Sequence, residues 1–296
     1  MLNKIHLGDC CEIMPTFPSS FIDLTVTSPP YDNLRDYKGF SFDLKTLVGE
    51  LYRCTKLGGV VVWVVADQTV NGSESGNSFR QALAFMDYGF KLNDTMIYQK
   101  NHPRPEVTGY RYQPNFEYMF VFSKGVPKTF NPLQEPCKNA GQSYKTSTKT
   151  LKDGSKVGYN SPYIRDTKIK TNIWSYGVGY MQSSKDIVAF DHPAIFPEEL
   201  AQDHILSWSD SGETVFDPFM GSGTVAKMSL VNGRNYLGCE ISEEYLAIAE
   251  KRLSLLNPPE SKTAFDLALQ KAREDYKHGR YVLPHLLKKV LENGYN

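Results

Sequence analysis

An α/β sheet covered by helices on both faces is the fold class this sequence predicts, on three observations. Short apolar runs rich in β-branched residues alternate with stretches of helical periodicity. Residues 214–256 read as an unbroken strand–helix–strand–helix unit. At 296 residues, with 41% hydrophobic and 12% aromatic content, the chain has length for one large or two ordinary domains and enough apolar surface for a core.

Taken in order, the expected strands cover 4–7, 21–27, 59–66, 91–98, 117–122, 214–216 and 235–238. Between the second and third, Leu44, Leu47, Val48, Leu51 and Tyr52 fall on one helical face, so a helix is expected over 44–56. Gly58 and Gly59 stop it and feed the next strand. A Gly-Ser-Gly-Thr turn after Phe219 opens a helix to about Asn232, and a last helix of the unit covers 243–256. From 257 onward, Asn-Pro-Pro-Glu-Ser reads as a linker to two helices over 263–276 and 283–292, available for docking, dimer contact or nucleic-acid contact. No internal repeat is present.

Composition narrows the class. None of the five cysteines forms a Cys-x-x-Cys pair, which leaves neither a disulfide framework nor a zinc site, and no metal site is expected. The first residues lack the apolar core of a signal peptide, and the longest apolar run, 60–66, is too short to span a bilayer. A cytoplasmic protein with no membrane partner is expected. The formal net charge is zero, yet 10 of the 33 basic residues and only 3 of the 33 acidic ones fall in 124–170. That segment is also rich in Ser, Thr, Asn, Gly and Tyr, which suits either phosphates and base edges or a solvated loop.

Two motifs carry chemistry. Thr-Ser-Pro-Pro-Tyr (27–31) ends an apolar strand with two prolines, which remove two backbone donors and fix a stiff turn with unpaired carbonyls. Phe-Asp-Pro-Phe-Met-Gly-Ser-Gly-Thr (216–224) sits at a strand-to-helix turn, where Gly221 and Gly223 permit close approach of a ligand to the backbone. Glu240, sixteen residues past Thr224 at the tip of the next strand, is placed to take a ribose diol. Asp217, just before the turn, would repel phosphates. A cofactor with an ammonium group and no phosphate fits better, and S-adenosylmethionine is the common one.

Together Asp-Pro-Phe-x-Gly-Ser-Gly-Thr and Thr-Ser-Pro-Pro-Tyr resemble the amino-group DNA methyltransferases, which modify adenine N6 or cytosine N4. His-Leu-Gly-Asp-Cys (6–10), Lys-Leu-Gly-Gly (56–59), residues 117–125, His-Pro-Ala-Ile-Phe-Pro (192–197) and residues 238–245 resemble further blocks in the family's beta-group order. The resemblance covers most of 3–256. It implies a circularly permuted Rossmann-like class I methyltransferase sheet, with the 91–98 and 117–122 strands as a terminal β-hairpin and a target-recognition insert. The organisation expected is a catalytic half (1–123), a target-recognition region (124–190), a cofactor-binding half (191–256) and a helical extension (257–296).

The resemblance also implies roles. Ser28, Pro29, Pro30 and Tyr31 form the catalytic motif. Asp217, Pro218, Phe219, Gly221, Ser222, Gly223, Thr224 and Glu240 bind S-adenosylmethionine, with Asp9 facing the adenosyl amine and Phe219, Phe196 and Pro197 bordering adenine. Asp9 as a helix cap and Phe219 and Phe196 as core packing are the structural alternatives. Double-stranded DNA is the expected partner, touched by Arg35, Lys138, Lys145, Lys149, Lys152, Lys156, Arg165, Lys168 and Lys170. A cognate restriction endonuclease and a homodimer fit the same resemblance.

An exocyclic amine is a poor nucleophile because its lone pair is delocalised into the ring. The Pro29 carbonyl and Ser28 hydroxyl can accept its two N–H groups and direct the lone pair at a methyl donor, while Tyr31 stacks on the base. Family members acting on cytosine N4 mostly carry Ser at position 28 and those acting on adenine mostly Asp, which favours cytosine here. A cytosine C5 reaction needs an activated cysteine nucleophile; Cys137 lies in the basic segment, and Cys10 and Cys11 have no visible base. The alternatives are adenine N6 as acceptor and a non-catalytic DNA-binding protein on the same scaffold.

Overall fold

The computed structural model describes residues 1–30, 42–102, 105, 109–142, 144–161 and 163–256, with the backbone alone at 144–147 and 159–161. The chain divides after Leu253 into two units, and the second falls almost wholly outside these residues, as do the helices expected over 263–292.

Eight strands form the main sheet: β1 (Lys4–Leu7), β2 (Ile22–Thr27), β3 (Thr55–Val65), β4 (Lys91–Lys100), β5 (Phe116–Ser123), β6 (Ile173–Tyr176), β7 (Thr214–Asp217) and β8 (Asn235–Glu240). Their spatial order is β1-β8-β7-β2-β3-β5-β4-β6. The first five in that order run parallel, β5 is antiparallel to both neighbours, and β6 lies parallel to β4. The β4–β5 hairpin therefore stands beside the parallel core, and β6, from within residues 124–190, adds an edge strand outside it. Three polar residues in five (Thr171, Asn172 and Ser175) around a short Ile-Trp core explain why no strand is legible there from sequence.

The helices are α1 (Cys10–Ile13), α2 (Leu44–Cys54), α3 (Asn77–Tyr88), α4 (Glu198–Trp208), α5 (Thr224–Val231) and α6 (Glu243–Leu256). Because strand side chains alternate between faces, Val61, Trp63, Val65, Phe120, Phe122 and Phe216 share one face. They form the main core with α1, α2 and α3. Helix α4 covers the opposite face, where His204 reaches Met119, and packs on α5.

Helix α2 ends at Cys54, two residues short of the expectation, because Thr55 already pairs with Ile22 in the sheet while its hydroxyl donates to the Leu51 carbonyl. Gly58 then takes φ +82 inside β3. Helix α3 is not legible because Phe79, Leu83 and Met86 point outward while Ala82 and Phe85 point in, which blurs the periodicity. Helix α4 buries Leu200, Ala201, Ile205 and Trp208 at clear helical spacing. No helix among the described residues is long and apolar enough to cross a membrane.

Candidate active site

Strands β7 and β2 are neighbours, with Val215 opposite Leu24 and Phe216 opposite Thr25, so their C-terminal ends emerge side by side. The 216–224 motif and residues 27–30, far apart in sequence, thus meet at the same end of the sheet. One hydrogen bond joins them: the Thr27 hydroxyl donates to Asp217 Oδ1 at 2.6 Å. The Phe219 N–H donates to the same oxygen at 2.9 Å, which folds the turn back over the strand end.

Asp217 is buried, and burial pushes its carboxyl up to about 7, against the pull of those two donors and with a further push from nearby Glu240. Glu240, at the end of β8, accepts from the Gly221 N–H at 2.7 Å and the Ser242 N–H at 2.8 Å. Burial raises its pKa, and the backbone donors oppose the rise. Each carboxylate oxygen keeps lone pairs for a further donor.

Two glycines are required by space as well as by φ. Gly221 has φ +50, and a Cβ there would lie 3.0 Å from His192 Nε2. Gly223 has φ +78, and a Cβ there would lie 2.8 Å from the Ala249 Cβ on α6. His192 packs against the Tyr245 ring at 4.3 Å and accepts from the Ala194 N–H through Nδ1, so the turn is walled on its outer side.

Beneath the turn lies a charge cluster that the sequence reasoning missed. The Arg252 side chain is fully buried, and its guanidinium donates to the Ser222 carbonyl (2.6 Å), Ser222 Oγ (3.1 Å) and Thr224 Oγ1 (3.1 Å). It also pairs with Glu198 (2.6 Å) and Asp186 (3.1 Å), both of which bind Lys227 as well. The two cations hold Asp186 below the usual carboxylate range despite its burial. The signal was present: Tyr245, Ile248, Ala249, Arg252 and Leu253 share the buried face of α6, and an arginine on an apolar stripe needs acids.

A cleft of about 1610 Å³ opens above these groups. Asp9, Ser28, Pro30, Phe196 and Pro197 line it together with Asp217, Pro218, Phe219, Gly221, Ser222, Thr224 and Glu240. Pro29, between two cleft residues, is buried, and Gly223 lies under the turn rather than on the cleft surface. Asp9 both caps α1, accepting from the Cys11 N–H at 2.7 Å, and faces the cleft. Phe219 likewise does two things, packing on Phe42 at 4.9 Å and on Trp63 at 6.3 Å while bordering the cleft. Burial lifts the Cys10 thiol far above its usual range, which keeps it protonated beside Asp9.

The basic residues divide. Lys168 pairs with Glu135 at 2.9 Å, and Lys170 sits over the Trp174 ring at 5.0 Å and approaches Asp203 at 3.7 Å. Lys149, Lys152 and Lys156 lie on an exposed two-stranded ribbon, 144–150 with 156–161, and have no ion pair among the described residues. Lys138 and Arg165 are similarly placed beside the smaller 134–136 and 167–169 ribbon. Tyr31, Arg35 and the Lys145 side chain lie outside the described residues.

A permissive glycine turn, a carboxylate at the tip of the next strand and a Ser-Pro-Pro end on the neighbouring strand open on one cleft. Residues 22–251 match the N6/N4 DNA methylase family. The chain belongs to this DNA methylase family. It is 52% identical over 255 residues to the orphan methyltransferase M.BamHII of Bacillus amyloliquefaciens, covering 84% of this chain and 91% of that one. It is 27% identical to the type II methyltransferase M.HinfI of Haemophilus influenzae, covering 87% and 70% respectively. Among solved structures, the cytosine-N4-specific PvuII DNA methyltransferase superposes with a TM-score of 0.62 at 19% identity, covering 83% of this chain and 84% of that one. M1.HpyAVI, solved as a complex with SAM, gives 0.54 at 23% identity, covering 84% and 98%.

Proposed function

We propose that the chain transfers the methyl group of S-adenosylmethionine to the exocyclic N4 amine of a cytosine flipped out of double-stranded DNA. The observation that carries this reading is that Ser28, at the end of β2, and the Asp217–Glu240 turn open on one cleft and are tied together through Thr27. The residues present suit this cofactor. Glu240 is anchored by two N–H groups and keeps lone pairs for a ribose diol. Buried Asp217 suits an ammonium group and disfavours a phosphate.

When bound, S-adenosylmethionine supplies a methyl group on a positively charged sulfur. The chain's own part is to hold the acceptor. Ser28 Oγ and the Pro29 carbonyl would accept the two amine N–H groups and turn the lone pair out of the base plane. Ser28 is neutral and is no base at pH 7, so the surplus amine proton passes to water. Serine at this position, together with the likeness to a cytosine-N4-specific enzyme, supports cytosine over adenine as acceptor.

The strand order supports reading the fold as a circular permutation, with β7 and β8 as the first cofactor strands. Residues 124–190 we assign to target recognition, apart from β6, which belongs to the sheet. The orphan designation of the 52% identical relative supports action without a cognate endonuclease.

The test is incubation of the purified protein with methyl-labelled S-adenosylmethionine and unmodified bacterial DNA, followed by nucleoside digestion and mass spectrometry. Labelled N4-methylcytosine is the expected product. Labelled N6-methyladenine would keep the chemistry and overturn the acceptor assigned from Ser28. No labelled nucleoside would turn the reading to DNA binding without catalysis.

A further inference from the structure

The floor of the cleft is polar, but one side of its rim is aromatic. Along β5, alternate residues share a face, and Phe122, Phe120, Tyr118 and Phe116 form a ladder of rings. Phe120 lies 6.1 Å from Phe122, Tyr118 stacks on Phe120 at 5.2 Å and 10°, and Phe116 meets Tyr118 edge-on at 5.3 Å. Phe85, stacked on Phe122 at 4.5 Å, anchors the inner end in the core. The outer end is open: Phe116 is 47% exposed and lines the cleft.

Just before β5, Tyr110 and Tyr112 are 94% and 99% exposed and line the same cleft. A buried tyrosine removes about 150–250 Å² from water, and here two forgo that gain side by side. The residue between them is nonetheless tethered. Arg111, between them, turns away and donates to Thr69 Oγ1 at 2.8 Å and to the Gly72 carbonyl, which ties the loop to the small hairpin of 69–74. The rings are thus held bare at the mouth that also presents Ser28 and Pro30.

We propose that Tyr110, Tyr112 and Phe116 form a stacking surface for the nucleobases laid open beside the target when it leaves the duplex. This rests on the DNA methylation reading above. Removing one base from a stack uncovers the faces of its neighbours, at a cost of a few kcal/mol. Every base has such a face, so aromatic rings can cover it whatever the sequence. Ring faces at the rim would lower the cost of opening the duplex without reading sequence.

The test compares two oligonucleotides carrying a site first mapped by methylation sequencing, one fully paired and one with the target base already unpaired by a mismatch. The Tyr110→Ala/Tyr112→Ala double variant should lose roughly 5- to 150-fold in kcat/KM on the paired duplex, the equivalent of one stacked base. On the mismatched duplex it should lose by a similar factor, because the same neighbouring faces are uncovered there once the target has left. Tyr110→Phe/Tyr112→Phe, which keeps both rings, should restore the paired-duplex rate. Titration with S-adenosylmethionine should be unchanged and so report an intact fold. A loss confined to the paired duplex, or no loss on either, overturns the stacking surface. A parent protein inactive on both would instead overturn the methyltransferase reading.

Discussion

The two sides of the cleft are built by opposite rules. On the side proposed for the cofactor, Arg252, Glu240 and Asp217 are buried and answered: Arg252 by Glu198, Asp186 and Ser222, Glu240 by two backbone donors, Asp217 by Thr27 and Phe219. On the side proposed for the target, Tyr110 and Tyr112 stand almost fully exposed, and Lys149, Lys152 and Lys156, which do not line the cleft, project from a ribbon with no acid to meet them among the described residues. A small ligand of fixed shape can be held by groups set in advance, since each satisfied bond inside the protein reduces the ordering left to do on binding. A polyanion of variable sequence asks for mobile cations and ring faces, which ordinary solvation keeps available.

The strongest way to break this contrast is at Arg252. Arg252→Met leaves Glu198 and Asp186 with Lys227 as their shared cation and frees the Ser222 carbonyl. Removing one partner from a buried ionic cluster costs about 3–5 kcal/mol, which a urea unfolding curve should show as a lower midpoint at unchanged slope. Arg252→Lys should recover part of the loss, while a change below about 1 kcal/mol in the Met variant would mean that the cluster is dispensable.

A smaller effect is expected from pH. Asp217 holds its proton up to about pH 7 in the folded state, whereas an unfolded aspartate titrates near 3.9. Between those values the native state binds the extra proton, so this group makes the unfolding free energy fall as pH rises. Asp217→Asn should flatten that fall in unfolding curves taken from about pH 4.5 to 8. By the same linkage, a cationic cofactor beside Asp217 should bind the parent protein more tightly as pH rises through 7, and titration of Asp217→Asn with S-adenosylmethionine should lack that trend. A variant that tracked the parent in both measurements would remove Asp217 from the account.

The smallest effect sharpens the contrast on the target side. Replacing Lys149, Lys152 and Lys156 by alanine should reduce the salt dependence of DNA binding, by about one in the log–log slope for each phosphate no longer neutralised, with little change in sequence preference. Lys168→Ala, whose ammonium is already paired with Glu135, should leave the slope where it was. Binding measured across a salt series decides the matter, and equal slopes for both variants would show that the ribbon lysines do not neutralise phosphates.

Much of this was legible in the residues. Seven of the eight main-sheet strands, α2, α5 and α6 follow from apolar runs and helical spacing, and both motifs announce themselves through Pro-Pro and Gly-x-Gly. Helix α3 was hidden because its apolar residues face both ways, and β6 because four residues flanked by polar ones carry no period. The lysines shared a composition, but sequence had no means of separating Lys168 and Lys170, held by acids and rings, from those left in solvent.

By itself, then, the sequence determined the α/β class, the residue types and spacing of each motif and the neutral serine at position 28, since these depend on residue type and short spacing. Only the tertiary structure decided that the two motifs share one cleft. That outcome depends on β7 pairing with β2 and on a Thr27–Asp217 hydrogen bond across 190 residues. The same is true of Arg252, whose partners come from three separate stretches of chain. Contacts of that range follow from which strands become neighbours when the whole core is buried, and no local pattern encodes them.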